Sequence, residues 1–219
     1  MNINSNIVLL KLSEIDRASE ILAQAFDKDP MFRYLGIGEA EQARVNVDAL
    51  KWFCKMGLRN CHSYNHVYTT NNLKGIAAWI PPGKSEMNVW QIVSMLSVLP
   101  WKCGWHRLGR CLSLFSTLMK RESNEMTEPH WTLSLLGVAS TCQGQGIGSL
   151  LLQPVLERAD KEGVPCYLAT FSERAIRFYQ KHGFAILSQG KFLSGSPCIW
   201  TMKREPNSTV VRSASSQQF

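Results

Sequence analysis

Between Trp131 and Leu152 an extended apolar run gives way to a helical one across three closely spaced glycines, and this change constrains the fold more than any other feature. Trp131 to Val138, with Leu133-Ser-Leu-Leu-Gly-Val138 at its end, reads as a strand. Ala139 to Cys142 follows, then the loop Gln143-Gly144-Gln145-Gly146-Ile147-Gly148, then a helix from Gly146 to Glu162 that begins Ser149-Leu150-Leu151-Leu152. Glycine reaches positive φ freely and lets the backbone approach a ligand, so several amides can converge at the positive end of the helix. A pyrophosphate suits such a concavity. Taken alone, the loop fits equally well a tight turn whose glycines serve only its geometry. Two phosphate-binding patterns fit poorly. Ser149 follows Gly148 with no lysine between them, unlike a nucleoside-triphosphate loop. Gly144-x-Gly146-x-x-Ser149 stands several residues past the strand and lacks the third glycine of a dinucleotide fingerprint.

Charge narrows the anion. The chain of 219 residues carries a formal net charge of +7, which suits nucleic acid or a small phosphorylated cofactor. Its basic residues are scattered, with no cluster larger than Lys120-Arg121 or Lys203-Arg204, and that favours the small anion over nucleic acid. The 7 cysteines form no C-x-x-C pair and no zinc pattern, so reduced thiols in a cytoplasmic protein and no metal site are expected. Neither a signal peptide nor a membrane span is expected from the apolar runs.

The rest of the chain reads as an alternation of strands and helices. Ile7 to Lys11 is a short strand, and Ser13 and Asp16 open a helix with Ile15, Ala18, Ile21, Leu22, Ala25 and Phe26 on one face. Asp29-Pro30 interrupts it, and a second helical pattern runs from Ala40 to Arg59 with Val45, Leu50, Trp52, Phe53, Met56 and Leu58 as its buried side. His66–Thr70 and Lys74–Ile80 form a hairpin around Asn71-Asn72, stopped by Pro81-Pro82-Gly83. Residues 81–130 form a helical insertion with patterns at Val89–Leu99 and Leu108–Lys120. Its Trp90, Trp101 and Trp105 would serve as core or as a roof over an acceptor pocket. After Trp131–Val138 come the glycine-loop helix, a strand Cys166–Thr170, a helix Glu173–His182, and strands Phe184–Gln189 and Cys198–Lys203. The expectation is a single α/β domain over residues 1–204 with a mixed sheet flanked by helices, and a disordered tail over residues 205–219.

The loop resembles the Q/R-x-x-G-x-G/A signature of the GNAT superfamily of N-acetyltransferases, with Val138 standing five residues before Gln143. Ser172-Glu-Arg-Ala-Ile-Arg-Phe-Tyr-Gln-Lys-His-Gly-Phe184 resembles that superfamily's second signature, an alanine, an aromatic-tyrosine pair and Gly-Phe. Ala25-Phe26-Asp-Lys-Asp-Pro30, Trp79-Ile-Pro-Pro-Gly83 and His130-Trp131 look like landmarks of the branch related to puromycin N-acetyltransferase, so the likeness covers roughly residues 5 to 204. The resemblance implies a central, mostly antiparallel mixed sheet in which the strand ending at Val138 and the strand Cys166–Thr170 splay apart. It implies acetyl-CoA as acyl donor, its pyrophosphate on Gln143, Gly144, Gln145, Gly146, Ile147, Gly148 and Ser149, and its pantetheine along backbone near Leu136, Gly137 and Val138. Ser172 stands where many relatives have a cofactor-touching asparagine, and it would donate one hydrogen bond or cap the next helix.

The same resemblance makes Tyr179 the general acid for the departing thiolate, a role compatible with a phenol unperturbed near pKa ~10. An amide near Leu136 would hold the oxyanion. Some relatives carry a basic glutamate on this strand, but the position is Thr132 here, leaving His130, Glu125, Glu128 or a water chain as the base. The acceptor would be a primary amine of a small molecule or peptide. The missing carboxylate and Ser172 keep a second reading open, a non-catalytic module that senses acyl-CoA.

Overall fold

The computed structural model describes residues 6–35, 44–84, 97, 98, 100, 101 and 105–207. Seven strands form one sheet: β1 (Ile7–Leu9), β2 (Val67–Thr70), β3 (Gly75–Ile80), β4 (Trp131–Val138), β5 (Cys166–Thr170), β6 (Ala185–Gly190) and β7 (Ile199–Arg204). Their order is β1-β2-β3-β4-β5-β7-β6, and every neighbouring pair is antiparallel except β4 with β5. The helices are α1 (Ile15–Ala25), α2 (Pro30–Tyr34), α3 (Arg44–His62), α4 (Trp105–Glu125), α5 (Ile147–Glu162) and α6 (Glu173–Gln180). The mixed, mostly antiparallel sheet expected from the sequence is the sheet observed.

Alternation along a strand sends successive side chains to opposite faces, and β3 shows why the sheet lies between two layers. Ile76, Ala78 and Ile80 join the core under α1, α3 and α4, with Leu22, Leu50, Leu58 and Leu114. Ala77 and Trp79 join the opposite core, with Leu151, Leu152 and Val155 of α5 and with Trp131, Leu133 and Leu168. All six residues of β3 are buried, so it is the spine of the molecule. Gly137 of β4 lies beneath α1. A Cβ there would stand 2.6 Å from Leu22 Cδ2, an overpacking that costs about 1–3 kcal/mol.

The β4–β5 connection positions the site. Their ladder runs Trp131↔Cys166, Thr132↔Tyr167 and Leu133↔Leu168, and stops there although both strands continue. On its other side β4 stays paired with β3 as far as Val138↔Gly75. Ala78 pairs Leu135 and Trp79 pairs Leu133, which leaves Ser134 as an extra, bulged residue. The bulge bends β4 at the point where β5 departs, and a gap opens in the middle of the sheet.

The second insertion helix is α4, longer at both ends than the Leu108–Lys120 pattern. The first pattern, Val89–Leu99, lies almost wholly outside the described residues, as do Trp90 and residues 208–219 of the tail. Trp101 and Trp105 are 81% and 70% exposed, so these two serve neither the core nor a pocket roof. The last strand is pinned by Arg204, whose Nη1 and Nη2 donate to Asp160 Oδ1 and Oδ2 of α5 at 2.7 and 2.8 Å.

Candidate functional site

The glycine loop takes the conformation its residues allow. Gly144 and Gly146 have φ of +77° and +78°, and Gly146 is the N-cap of α5. A Cβ built on either meets nothing within 4 Å, so these glycines answer to backbone conformation and leave the loop's outer side open. Gly148 differs, because its Cβ would stand 3.2 Å from Phe178 Cζ and α5 docks on α6 there. Gln143 Nε2 donates to the Val138 carbonyl at 3.2 Å, and Gln145 Nε2 to that of Thr141 at 3.4 Å, which folds the loop back on the strand end. Ile147 is buried beneath the sheet, leaving its backbone to serve the loop. Ser149 Oγ lies 3.0 Å from His182 Nε2. The loop thus leads into the N-terminus of α5 with its outer side open.

Ser172 follows β5 and is the N-cap of α6, but its side chain makes no cap hydrogen bond. Leu136, Gly137 and Val138 lie on the part of β4 beyond the β5 ladder, with Leu136 and Val138 half-buried. The sheet gap therefore separates Leu136 to Val138 from Thr170 to Ser172, and the glycine loop sits at its mouth.

A cavity of about 210 Å³ reaches into this gap. Its walls are mainly apolar: Phe26, Phe32, Phe53, Met56, Phe115 and Leu118 from α1 to α4, with Leu135, Leu136 and Phe171 from the sheet. Tyr179 lines it as well and is 9% exposed, its ring packed at 5.3 Å from that of Phe178 and 5.8 Å from that of Phe184. Burial, and then the charge of Asp29, push the Tyr179 phenol well above its usual pKa, which corrects the expectation of an unperturbed group. The phenol is a proton donor at any physiological pH.

Two carboxylates missed by sequence reasoning as reactive groups line the same cavity. Asp29 precedes Pro30, and its Oδ1 accepts from Met31 N at 2.8 Å as the cap of α2. Burial raises its pKa, against the lowering effect of the Met31 and Phe32 amides. In the sequence the Asp-Pro pair signals a helix break and belongs to the Ala25–Pro30 landmark, with no proton-transfer role attached. Glu122 extends the Leu114, Leu118 face of α4 by one more turn, and that spacing of four was the signal available for it. Its Oε1 accepts from Thr132 Oγ1 at 2.5 Å and lies 3.1 Å from His130 Nε2. A helix carboxylate thus stands beside the strand position where some relatives place a glutamate.

The other candidate bases stand elsewhere. His130 Nδ1 faces the Glu128 carbonyl at 2.8 Å. Burial would lower its pKa, but the hydrogen bonds to Glu122 and Glu128 raise it overall. Glu125 accepts from Tyr167 Oη at 3.2 Å and Ser188 Oγ at 2.5 Å, and Glu128 pairs with Lys203 at 2.7 Å. Cys142 is half-buried with no histidine bonded to it, which leaves an acyl-cysteine route without a base. Among the described residues no cluster of His, Cys, Asp or Glu could hold a metal, and no helix is long and apolar enough to cross a membrane.

Comparison with known proteins agrees with the fold. Residues 104–184 match the model of the Acetyltransferase (GNAT) family. A probable serine/threonine-protein kinase of Dictyostelium discoideum is 26% identical over 89% of this chain and 22% of its own length, and a second from the same organism is 25% identical over 83% and 28%. The chain thus spans about a quarter of these curated relatives. An uncharacterized N-acetyltransferase of Schizosaccharomyces pombe is 24% identical over 80% of the chain and 72% of its own length. Among solved structures, arylalkylamine N-acetyltransferase 2 from Aedes aegypti superposes with a TM-score of 0.65 at 14% identity, covering 93% of this chain and 100% of that one. A histone acetyltransferase HPA2 and related acetyltransferase from Corynebacterium glutamicum gives 0.62 at 18%, covering 93% and 97%. The fold is that of the GNAT acetyltransferases.

Proposed function

We propose that this chain, built on the GNAT acetyltransferase fold, is an enzyme that moves an acetyl group from acetyl-CoA to a primary amine by direct transfer in a ternary complex. The observation that carries the reading is the gap between β4 and β5, which joins the glycine loop at its mouth to a cavity lined by Asp29 and Tyr179. The open sides of Gly144 and Gly146 leave room for the donor's phosphates, and the unpaired edge of β4 beyond Leu133 leaves backbone groups for its pantetheine.

The residues divide the proton work. An amine arrives as an ammonium and must lose a proton before its nitrogen can attack the thioester carbonyl. Asp29 accepts that proton, and burial makes it a stronger base than an ordinary aspartate. An amide of β4 near Leu136 hydrogen-bonds the carbonyl oxygen as negative charge gathers on it. Tyr179 donates its proton to the sulfur as the C–S bond breaks. A cavity of about 210 Å³ favours a small amine over a folded peptide, in keeping with the likeness of Ala25–Pro30 and Trp79–Gly83 to the puromycin branch.

Calorimetry with acetyl-CoA, followed by mass spectrometry of amines incubated with enzyme and donor, tests the reading. Saturable donor binding and products heavier by one acetyl group are expected. No binding at millimolar acetyl-CoA overturns it, and tight binding without transfer or thioester hydrolysis returns the chain to a sensor of acyl-CoA.

A further inference from the structure

The cavity has a polar floor as well as a reactive mouth. Phe171 and Tyr179 line its mouth, while Glu122, Thr132 and Tyr167 line it where β4 and β5 are still paired. Phe171 and Tyr167 stand four residues apart along β5, a span of about 13 Å at strand rise. The remaining walls are mostly phenylalanine, methionine and leucine side chains, with Asn60, Ser134 and Thr170 among them. A ligand lying along the cavity meets carboxylate at the mouth, hydrocarbon in the middle and carboxylate again at the floor.

The floor carboxylate has capacity to spare. Glu122 Oε1 receives Thr132 Oγ1 at 2.5 Å and faces His130 Nε2 at 3.1 Å, whereas Oε2 has no hydrogen-bond partner among the described residues. An ionised carboxylate has about four acceptor positions and no donor. Tyr167 Oη spends its proton on Glu125, and Thr132 spends its own on Glu122. Neither of these two hydroxyls keeps a proton for a ligand, so Glu122, Thr132 and Tyr167 offer it acceptors, which a donating group satisfies.

We propose that Glu122 selects the acceptor, and that the substrate is a primary amine with an apolar body and a hydrogen-bond donor, an N–H or O–H, at the end far from the reacting nitrogen. The proposal rests on the acyltransferase reading above. A ligand without the distal donor covers part of a carboxylate that is 23% exposed and displaces water from it without replacing the hydrogen bond, which is how a polar site discriminates. Glu122 acts by binding; proton transfer stays with Asp29 and Tyr179.

Matched amines provide the test: 2-phenylethylamine against 4-(2-aminoethyl)phenol and its 4-methoxy ether, and octylamine against 8-amino-1-octanol and 1,8-diaminooctane. In the wild type kcat/KM is expected to favour each distal donor by about tenfold or more over its unsubstituted partner, with the methoxy ether disfavoured. Glu122→Leu should reverse the preference. Glu122→Gln, which keeps an oxygen for Thr132 and can turn its NH2 to the floor, should bring the hydroxyl preference near one and raise the methoxy ether. Each ratio is taken within one preparation, so partial unfolding of a variant cancels. A wild-type ratio near one, or a ratio unmoved by Glu122→Gln, overturns the proposal. If no amine is acetylated the acyltransferase reading falls, and calorimetric titration of the same pairs still reads the floor: equal affinities overturn the selector role by themselves. The pair 8-amino-1-octanol and 1,8-diaminooctane separates a neutral donor from a cation.

Discussion

The carboxylate of Asp29 lies close enough to Tyr179 to raise the pKa of the phenol, and both side chains line one cavity at the gap in the sheet. A proton acceptor and a proton donor thus face the space where an amine and a thioester would meet. Burial and the charge of Asp29 keep the proton on the phenol, and burial makes the carboxylate more basic.

Tyr179→Phe removes the hydroxyl and keeps the ring between Phe178 and Phe184. Turnover should fall about 100-fold or more while the Kd for acetyl-CoA moves less than about threefold, because the proton matters only as sulfur departs. Steady-state kinetics beside calorimetry checks it. Since the raised pKa keeps the phenol protonated, the wild-type rate should show no decline assignable to its ionisation below pH ~10. A variant with wild-type turnover removes Tyr179 from the chemistry.

Asp29→Asn separates chemistry from stability. Asparagine caps α2 as well as aspartate does, but it cannot take a proton from an ammonium, so turnover should fall about 100-fold or more. The folded-state pKa of Asp29 is raised, so the native state binds the proton more tightly than the unfolded chain. Stability from this group is therefore full below the unfolded value of 3.8 and lost as pH rises through the folded pKa. The asparagine variant should unfold at a higher temperature than wild type at pH 7, with the advantage shrinking as pH falls toward 3.8. Thermal melts across pH read this, and equal melting at pH 7 contradicts it.

The contrast between Tyr179 and Glu122 shows how far the sequence could be read. Tyr179 sits in a motif whose residues are contiguous along one helix, and β4, β5 and α5 follow from apolar periods of two and 3.6 that short turns do not interrupt. Glu122 meets Thr132 only because α4 packs across β4, a relationship between segments ten residues apart that no local period encodes. The bulge at Ser134 is hidden for a related reason, since it is a mismatch between two strands far apart in the chain. Asp29 is visible in the sequence as part of the Asp29-Pro30 helix break, whereas its cap on α2 and its nearness to Tyr179 arise only when α1 and α2 fold over the sheet gap. The exposure of Trp101 and Trp105 reverses the ordinary preference of large apolar residues for the interior, and nothing in their spacing announced it.

Gly146→Ala isolates backbone conformation from bulk. The φ of +78° costs an alanine about 1–2 kcal/mol, and the Cβ meets no neighbour within 4 Å. Denaturant unfolding should show that loss with an unchanged m-value. Donor affinity should fall too, because relaxing the loop turns amides away from the phosphates. Acetyl-pantetheine, which lacks the pyrophosphate, should show no such loss. Equal losses for both donors would mean that the loop does not hold the phosphates.

The Arg204–Asp160 pair is a stability element on the face of the sheet opposite the cavity, and its pH dependence runs opposite to that of Asp29. Both side chains are largely covered, at 12% and 13% exposure, and the two bonds of 2.7 and 2.8 Å tie the last strand to α5. The Arg204 hydrogen bond depresses the Asp160 pKa, outweighing the rise from burial, and Asn207 N adds a third bond to the same carboxylate. A depressed folded pKa means that the unfolded chain binds the proton more readily, so the stabilisation is present above 3.8 and lost as pH falls through the folded value. Asp160→Asn should cost about 2 kcal/mol at pH 7, the worth of a charge-assisted pair losing its charge. That difference should hold from pH 5 to pH 8, narrow below about 4, and leave the relative rates on different amines unchanged, because α5 meets the cavity only through the sheet. Chemical denaturation of both proteins across this range measures it. A difference that grows on acidification would contradict the assignment.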